Sequence, residues 1–298
     1  MHGLQSGGHL LRGGDLNHPR MRVSVVIPTR NEAAAIGRVL ADLPRDLATE
    51  ILVVDSNSTD GTPGIAAKMG ARVLQEPRRG YGRACLRGLA NATAPEVVVF
   101  LDGDYSDRPA ELPILLAPIL EGRADITLGS RLGKHNIAGA MSWHAALGNR
   151  LAAFLIRLLY GLKLSDLGPF RAGRADVLRR LELQENTYGW AVEMILKGAL
   201  GGFRIVEVPV SYHPRIGKSK ISGTVKGTVG AGWFILSLIV RYYFRRRRAE
   251  TPRPAQVPAA IAYGILNGNN DACTQPGPHS GHHGKSAQAG DGQDPVDS

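Results

Sequence analysis

Between Met21 and Ser130 the chain alternates short unbroken apolar runs with segments whose apolar residues recur at helical spacing. Val23–Ile27, Ile51–Val54, Ala71–Gln75, Val97–Leu101 and Ile126–Leu128 are runs of strand length bounded by turn residues, and each predicts a buried strand. The intervening segments predict helices. Ile36, Val39, Leu40 and Leu43 share one face; Pro63–Met69 follows the second strand; a helix through Leu89 follows the loop Arg78–Arg83; another ends at Leu120. Strands alternating with helices predict an α/β fold with a parallel sheet covered on both faces. No internal repeat is visible.

The polar residues at the strand ends carry the chemistry. The first strand ends at Asn31-Glu32, the second at Asp55, the fourth at Asp102-Gly103-Asp104 and the fifth at Ser130-Arg131. In a parallel sheet these ends share one edge, where open α/β folds bind their ligands. By itself Asp102-Gly103-Asp104 fits two readings: a polar turn before the next helix, or a pair of hard oxygen ligands for Mg²⁺ or Mn²⁺. Acidic groups at three of the four ends favour the second, because a purely structural sheet has no use for them. Thr59 and Asp60 read as helix caps.

The second half has a different pattern. Leu147, Leu151, Phe154, Leu155, Leu158, Leu159 and Leu162 form one apolar stripe at helical spacing, with Arg150 and Arg157 opposite. Such a helix packs on a core or lies in a membrane interface. Residues 227–240 carry no charge and run into Arg241-Tyr-Tyr-Phe-Arg-Arg-Arg-Arg248, but their helix would measure about 21 Å against a ~30 Å hydrocarbon core. A membrane-associated helix is expected there, not a spanning one.

Composition sharpens this picture. The 298-residue chain carries a formal net charge of +10, unevenly spread. Residues 249–298 hold two basic residues (Arg253, Lys285) against five acidic ones (Glu250, Asp271, Asp291, Asp294, Asp297), leaving +13 on the remainder. That bias suits phosphorylated substrates or an anionic membrane surface. It does not call for nucleic acid, since no recognition module or aromatic platform accompanies it. Two distant cysteines offer neither a disulfide framework nor zinc spacing, so a reducing, cytoplasmic setting is expected. Residues 1–20 and 249–298 read as disordered extensions, leaving a catalytic region over 21–223 and a basic-ended, membrane-associated helix over 224–248.

Pro28-Thr-Arg-Asn-Glu32, Val54-Asp-Ser-Asn-Ser-Thr-Asp-Gly61, Arg79-Gly-Tyr-Gly-Arg-Ala84 and Leu101-Asp-Gly-Asp104 resemble, in order and spacing, the family 2 glycosyltransferases. The likeness to dolichyl-phosphate mannosyltransferases and bacterial polyprenyl-phosphate sugar transferases continues through Asp166-Leu-Gly-Pro-Phe-Arg171 and Arg215-Ile-Gly-Lys-Ser-Lys220, and covers about residues 21–245. It implies a GT-A fold, a Rossmann-like, mostly parallel sheet flanked by helices. It further implies a nucleotide-sugar donor of the GDP-mannose or UDP-glucose type, bound by Pro28, Glu32, Asp55, Arg83 and Asp102. Asp102 and Asp104 would hold the metal, with inversion at the sugar, and the stripe-bearing helix would lie at the membrane interface. The sequence departs from the family where a frequent Gln is Ser106 and where Pro169 shortens the Asp166 motif.

Arg131, Arg215, Ser219 and Lys220 suit phosphate oxygens of the donor or of a polyprenyl-phosphate acceptor. A phosphate monoester is largely ionised near neutral pH and attacks without a strong base, whereas a hydroxyl acceptor needs one, for which Asp166 and Glu193 are the candidates. Asp166 has a second possible role, orienting Arg171. Catalytic work is thus expected of Asp104, Asp166 and Arg131, in an enzyme peripheral to the cytoplasmic membrane face. The rival readings are a soluble glycosyltransferase with a hydroxyl acceptor, a nucleotidyltransferase, and a non-enzymatic membrane-binding protein. No Gly-rich basic loop follows the first strand, which counts against the nucleotidyltransferase, and the intact Asp55, Asp102 and Asp104 count against the non-enzyme.

Overall fold

A computed structural model describes residues 21–132, 143–217 and 225–246. Ser219, Lys220 and the two expected disordered extensions lie outside the described residues. All five expected strands form: β1 (Val23–Thr29), β2 (Glu50–Asp55), β3 (Arg72–Gln75), β4 (Val97–Phe100) and β5 (Ile126–Ser130). Helices α1 (Ala33–Ala41), α2 (Thr62–Lys68), α3 (Tyr81–Asn91) and α4 (Leu112–Leu120) alternate with them. Then follow α5 (Trp143–Tyr160), β6 (Arg171–Arg174), α6 (Ala175–Arg180), α7 (Trp190–Leu200), β7 (Ile205–Pro209) and α8 (Val225–Arg246).

The sheet has seven strands in the order β3-β2-β1-β4-β6-β5-β7. All adjacent pairs are parallel except those of β6, which runs antiparallel to both β4 and β5. Consecutive side chains of a strand point to opposite faces, so each buried strand feeds two cores. Val23, Val25 and Ile27 join α1 and α4 on one face, whereas Val26 and Val98 meet Cys85 of α3 and the α7 residues Trp190 and Met194 on the other.

The predicted stripe on α5 divides in three dimensions. Leu155 and Leu159 pack against the core beside Ile156, a buried residue outside the stripe, while Leu147, Leu151, Phe154 and Leu158 are exposed, Leu158 by 65%. On α8, Leu238 and Ile239 are buried and Trp233, Val240 and Phe244 are exposed. The two helices pack on one another and are tied by the Tyr160 hydroxyl, which donates to the Ile239 carbonyl (2.6 Å). No helix among the described residues is long and apolar enough to cross a membrane.

Helix α3 approaches β1 so closely that a Cβ on Gly88 would stand 2.3 Å from Val26 Cγ1. Val26 is β-branched and has few rotamers to retreat into. Gly88→Ala is therefore expected to destabilise the fold by about 1–3 kcal/mol, overriding alanine's helix-propensity advantage of about 1 kcal/mol. A lower urea midpoint with unchanged slope would report it.

Candidate active site

The ends of β1, β2 and β4 open into a cleft of about 450 Å³. Pro28, Thr29, Arg30, Glu32 and Ser56 form one wall; Asp102, Gly103, Asp104 and Arg215 form the floor; Arg79, Tyr81, Thr187 and Tyr188 close the other side. The backbone turns sharply at each strand end, and Asn31, Asn57 and Tyr105 all hold positive φ. Asn tolerates that region, whereas Tyr105 is a bulky residue held there against its preference. Behind the cleft, the start of α3 lies against the 185–190 segment. A Cβ on Gly82 would stand 2.2 Å from the Glu185 carbonyl oxygen and 2.8 Å from Trp190 Cβ, so only glycine lets Tyr81 reach the site.

The acids on the floor are held differently from one another. Asp104 is buried; its Oδ1 accepts from the Ser106 amide (3.0 Å) and hydroxyl (2.6 Å), and its Oδ2 pairs with Arg215 Nη1 (3.1 Å). Asp102 is half-buried; its enclosed Oδ1 and the Tyr81 hydroxyl make no hydrogen bond of regular geometry, although the hydroxyl lies close enough to favour the charged carboxylate. Burial, and then the charge of Asp104, push the Asp102 carboxyl up to about 7. Asp107 is fully buried and neither of its oxygens has a partner. Burial and the Asp102 charge push it far above the usual carboxylate range.

Arg215 is delivered by an irregular strap that follows β7. Val210 N donates to the Ser130 carbonyl (3.0 Å), the Ser211 hydroxyl to Glu111 (2.6 Å), His213 N to the Ser106 carbonyl (2.9 Å) and Ile216 N to the Asp104 carbonyl (2.9 Å). The strap thus runs along the 104–107 segment, with Tyr212 bridged to Asp107.

Beside this floor, Arg131 is locked to Asp166. Its amide and Nε donate to Oδ2, both at 2.7 Å, and Nη2 donates to Oδ1 at 2.9 Å, while the guanidinium lies 4.9 Å from the Tyr212 ring centroid. Asp166 is fully buried and also accepts from Leu167 N (2.7 Å) and from the side chain of Asn149 on α5. Burial alone would raise its pKa, but the Arg131 guanidinium and these donors hold it below the ordinary carboxylate value. Asp166 therefore orients Arg131 and not Arg171, whose guanidinium donates instead to main-chain carbonyls of Leu167, Gly168, Pro169 and Ala191. Glu193 is likewise engaged. It accepts from the amides of Gln184 (3.0 Å) and Glu185 (2.7 Å) and the Tyr242 hydroxyl (2.7 Å), and pairs with Lys197 (3.0 Å).

Of the residues expected at the site, Pro28, Glu32, Asp102, Asp104 and Arg215 line the cleft. Asp55 does not; it is buried behind the wall, where its carboxylate accepts from Ser58 N (3.0 Å) and the Thr29 hydroxyl (3.4 Å). Arg83 is also absent from the lining, and Arg79 stands there in its place. Asp60 caps no single helix: it accepts from Ala33 N at the start of α1 (2.9 Å) and Thr62 N at the start of α2 (3.1 Å). Sequence reading missed the lining residues Ser56, Arg79, Tyr81 and Tyr188, and it did not remark on Asp107, which is buried and not part of the lining. Arg79 and Tyr81 fall inside a motif already singled out, but nothing local marks Tyr188 or Asp107.

The donor set suits a hard divalent cation, since Asp102 and Asp104 offer hard carboxylate oxygens and an enclosed oxygen of Asp102 lacks a partner; Arg215 occupies Asp104 Oδ2 in this structure. Among the described residues no three His, Cys, Asp or Glu side chains are grouped to hold an ion alone. Two carboxylates suffice where substrate phosphates and water supply the remaining ligands, as Mg²⁺ prefers.

The model of the Glycosyl transferase family 2 matches residues 24–182. A glycosyltransferase of Mycobacterium tuberculosis described as uncharacterised is 38% identical over 209 residues, 70% of this chain and 93% of its own length. The dolichyl-phosphate hexose transferase of Haloferax volcanii is also 38% identical, over 67% of this chain and 86% of its own. Among solved structures, the glucosyl-3-phosphoglycerate synthase of M. tuberculosis, in complex with Mn²⁺, UDP and phosphoglyceric acid, superposes with a TM-score of 0.61 at 25% identity, covering 75% of this chain and 78% of its own. The ordered strand-end motifs, the GT-A-like sheet and these matches agree: the chain is a glycosyltransferase of family 2.

Proposed function

We propose that this enzyme transfers a hexose, with inversion, from a nucleotide-sugar to a polyprenyl phosphate at a membrane face, using Mg²⁺ or Mn²⁺. One observation carries the choice of acceptor. Both carboxylates considered as general bases are spent on other work, Asp166 on Arg131 and Glu193 on main-chain amides and Tyr242. A hydroxyl acceptor would need a free base, whereas an already ionised phosphate does not. The relative named as a dolichyl-phosphate hexose transferase supports the same class.

In this reading Pro28, Glu32, Ser56 and Arg79 bind the nucleotide, and Asp102 and Asp104 hold the cation. When bound, the ion stabilises negative charge on the departing nucleoside diphosphate. Arg215 faces the same phosphates from the strap. Arg131, held rigid by Asp166 and the Tyr212 ring, presents its cationic face to the acceptor phosphate. Residues Leu147, Phe154 and Leu158 of α5 and Trp233 and Phe244 of α8, with the exposed Arg150, Arg157, Arg241 and Arg245, form the surface that meets an anionic membrane. A second reading, a small phosphorylated acceptor, draws on the likeness to the synthase crystallised with phosphoglyceric acid.

A panel of labelled sugar nucleotides offered with Mn²⁺ and either polyprenyl phosphate or phosphoglyceric acid separates the two. Label is expected in the lipid phase; label confined to water-soluble product would sink the lipid reading. Asp104→Ala should lower metal-dependent transfer by about 10²-fold or more with an unchanged circular dichroism spectrum. Asp166→Asn should lower kcat/KM for the acceptor by about 10²-fold through misplacement of Arg131, with the donor KM little changed. The double substitution Phe154→Glu with Leu158→Glu should abolish co-sedimentation with anionic vesicles yet spare transfer to a short, water-soluble polyprenyl phosphate. Undiminished sedimentation would remove α5 from the membrane surface.

A further inference from the structure

Ser106 stands where the resembling family often has a glutamine, which raises the question of what else serves the cation. Ser106 itself is occupied, since its amide and hydroxyl both close on Asp104 Oδ1. One residue further on, Asp107 is wholly enclosed, and both its carboxylate oxygens lack any hydrogen-bond partner. Buried carboxylates are normally paired, and two orphaned oxygens on one side chain mark the place of an ion or an ordered water. Asp107 lies three residues beyond Asp104, and the strap that carries Arg215 runs beside both: Ile216 N donates to the Asp104 carbonyl and Tyr212 is bridged to Asp107. The charged groups near enough to act on it are Asp102, Arg131, Asp104 and Asp166, with Asp102 foremost. Arg131 is already committed to Asp166 and makes no hydrogen bond to Asp107. A backbone bridge to Tyr212 fixes the main chain of Asp107.

Three carboxylates in this arrangement are not grouped to hold one ion directly. A small hard cation keeps several of its waters, however, and outer carboxylates that accept from those waters tune its affinity. We propose that Asp107 is a positioning residue of the cation site: with the ion in place, its carboxylate accepts hydrogen bonds from water bound to the ion that Asp102 and Asp104 hold. This rests on the reading of Asp102 and Asp104 as the metal pair. No covalent step is involved.

The test is Mn²⁺ binding to the full chain in the presence of UDP, followed by the electron paramagnetic resonance signal of free Mn²⁺. Asp107→Asn keeps the shape and removes the charge. It is expected to weaken Mn²⁺ binding about tenfold or more, the usual effect of losing an outer partner, while Tm without metal stays level or rises. Wild-type affinity in Asp107→Asn, with binding lost in Asp104→Asn, would overturn the role of Asp107 and leave the two-aspartate site standing. Failure of the unaltered chain to bind Mn²⁺ would overturn both. Should Asp107→Asn not fold, anomalous diffraction from unaltered crystals soaked with Mn²⁺ and UDP decides: a metal-bound water within hydrogen-bond distance of Asp107 supports the proposal, and an ion whose waters do not reach it overturns it.

Discussion

Negative charge held at the end of a buried strand is the constraint on which the rest of this site depends. β4 is enclosed on both faces, and it ends in Asp102, Asp104 and Asp107 within six residues. Carboxylates in such surroundings either lose their charge or acquire a positive partner. The fold brings partners from elsewhere in the sequence. Arg215 arrives on the strap after β7, Arg131 lies beyond β5, and Ser106 folds back on Asp104 through the strained backbone of Tyr105. What remains unmatched, one oxygen of Asp102 and both of Asp107, are buried acceptors of the kind that a hydrated divalent cation satisfies.

The same constraint explains the work divided among the buried ion pairs. Asp166 has no spare capacity, because three bonds from Arg131 and others from Leu167 and Asn149 saturate it. Its product is a guanidinium of fixed direction. Asn149 belongs to α5, so the helix with the exposed apolar ridge also contributes to that fixed direction. A similar tie connects α8 to the opposite wall of the cleft. The Tyr242 hydroxyl donates to Glu193, which holds the amides of Gln184 and Glu185, and the Tyr188 ring stands 5.3 Å from that of Phe234. The helices that offer apolar side chains to the outside are thereby packed into both sides of the site.

The strands and helices of the first half were legible in the sequence because each buried strand is an unbroken apolar run. β6 and β7 were not. β6 is Arg-Ala-Gly-Arg, a strand made by its antiparallel neighbours β4 and β5 and not by its own pattern. β7 alternates valine with glutamate at the sheet edge, and Glu207 serves to hold the amides of Ser165 and Asp166.

By itself the sequence determined the fold class and the family, and it set Asp102 and Asp104 at the end of a buried strand, because these depend on local runs and on motifs of fixed spacing. It also placed an apolar stripe on α5, but not which edge of the stripe faces the core. Only the tertiary structure decided that Asp166 serves Arg131, that Asp55 stands behind the wall, and that Asp107 is buried without a partner. Each of those facts depends on which distant groups come within a few ångströms, and hydrogen-bond satisfaction and dielectric surroundings have no signature in the order of residues.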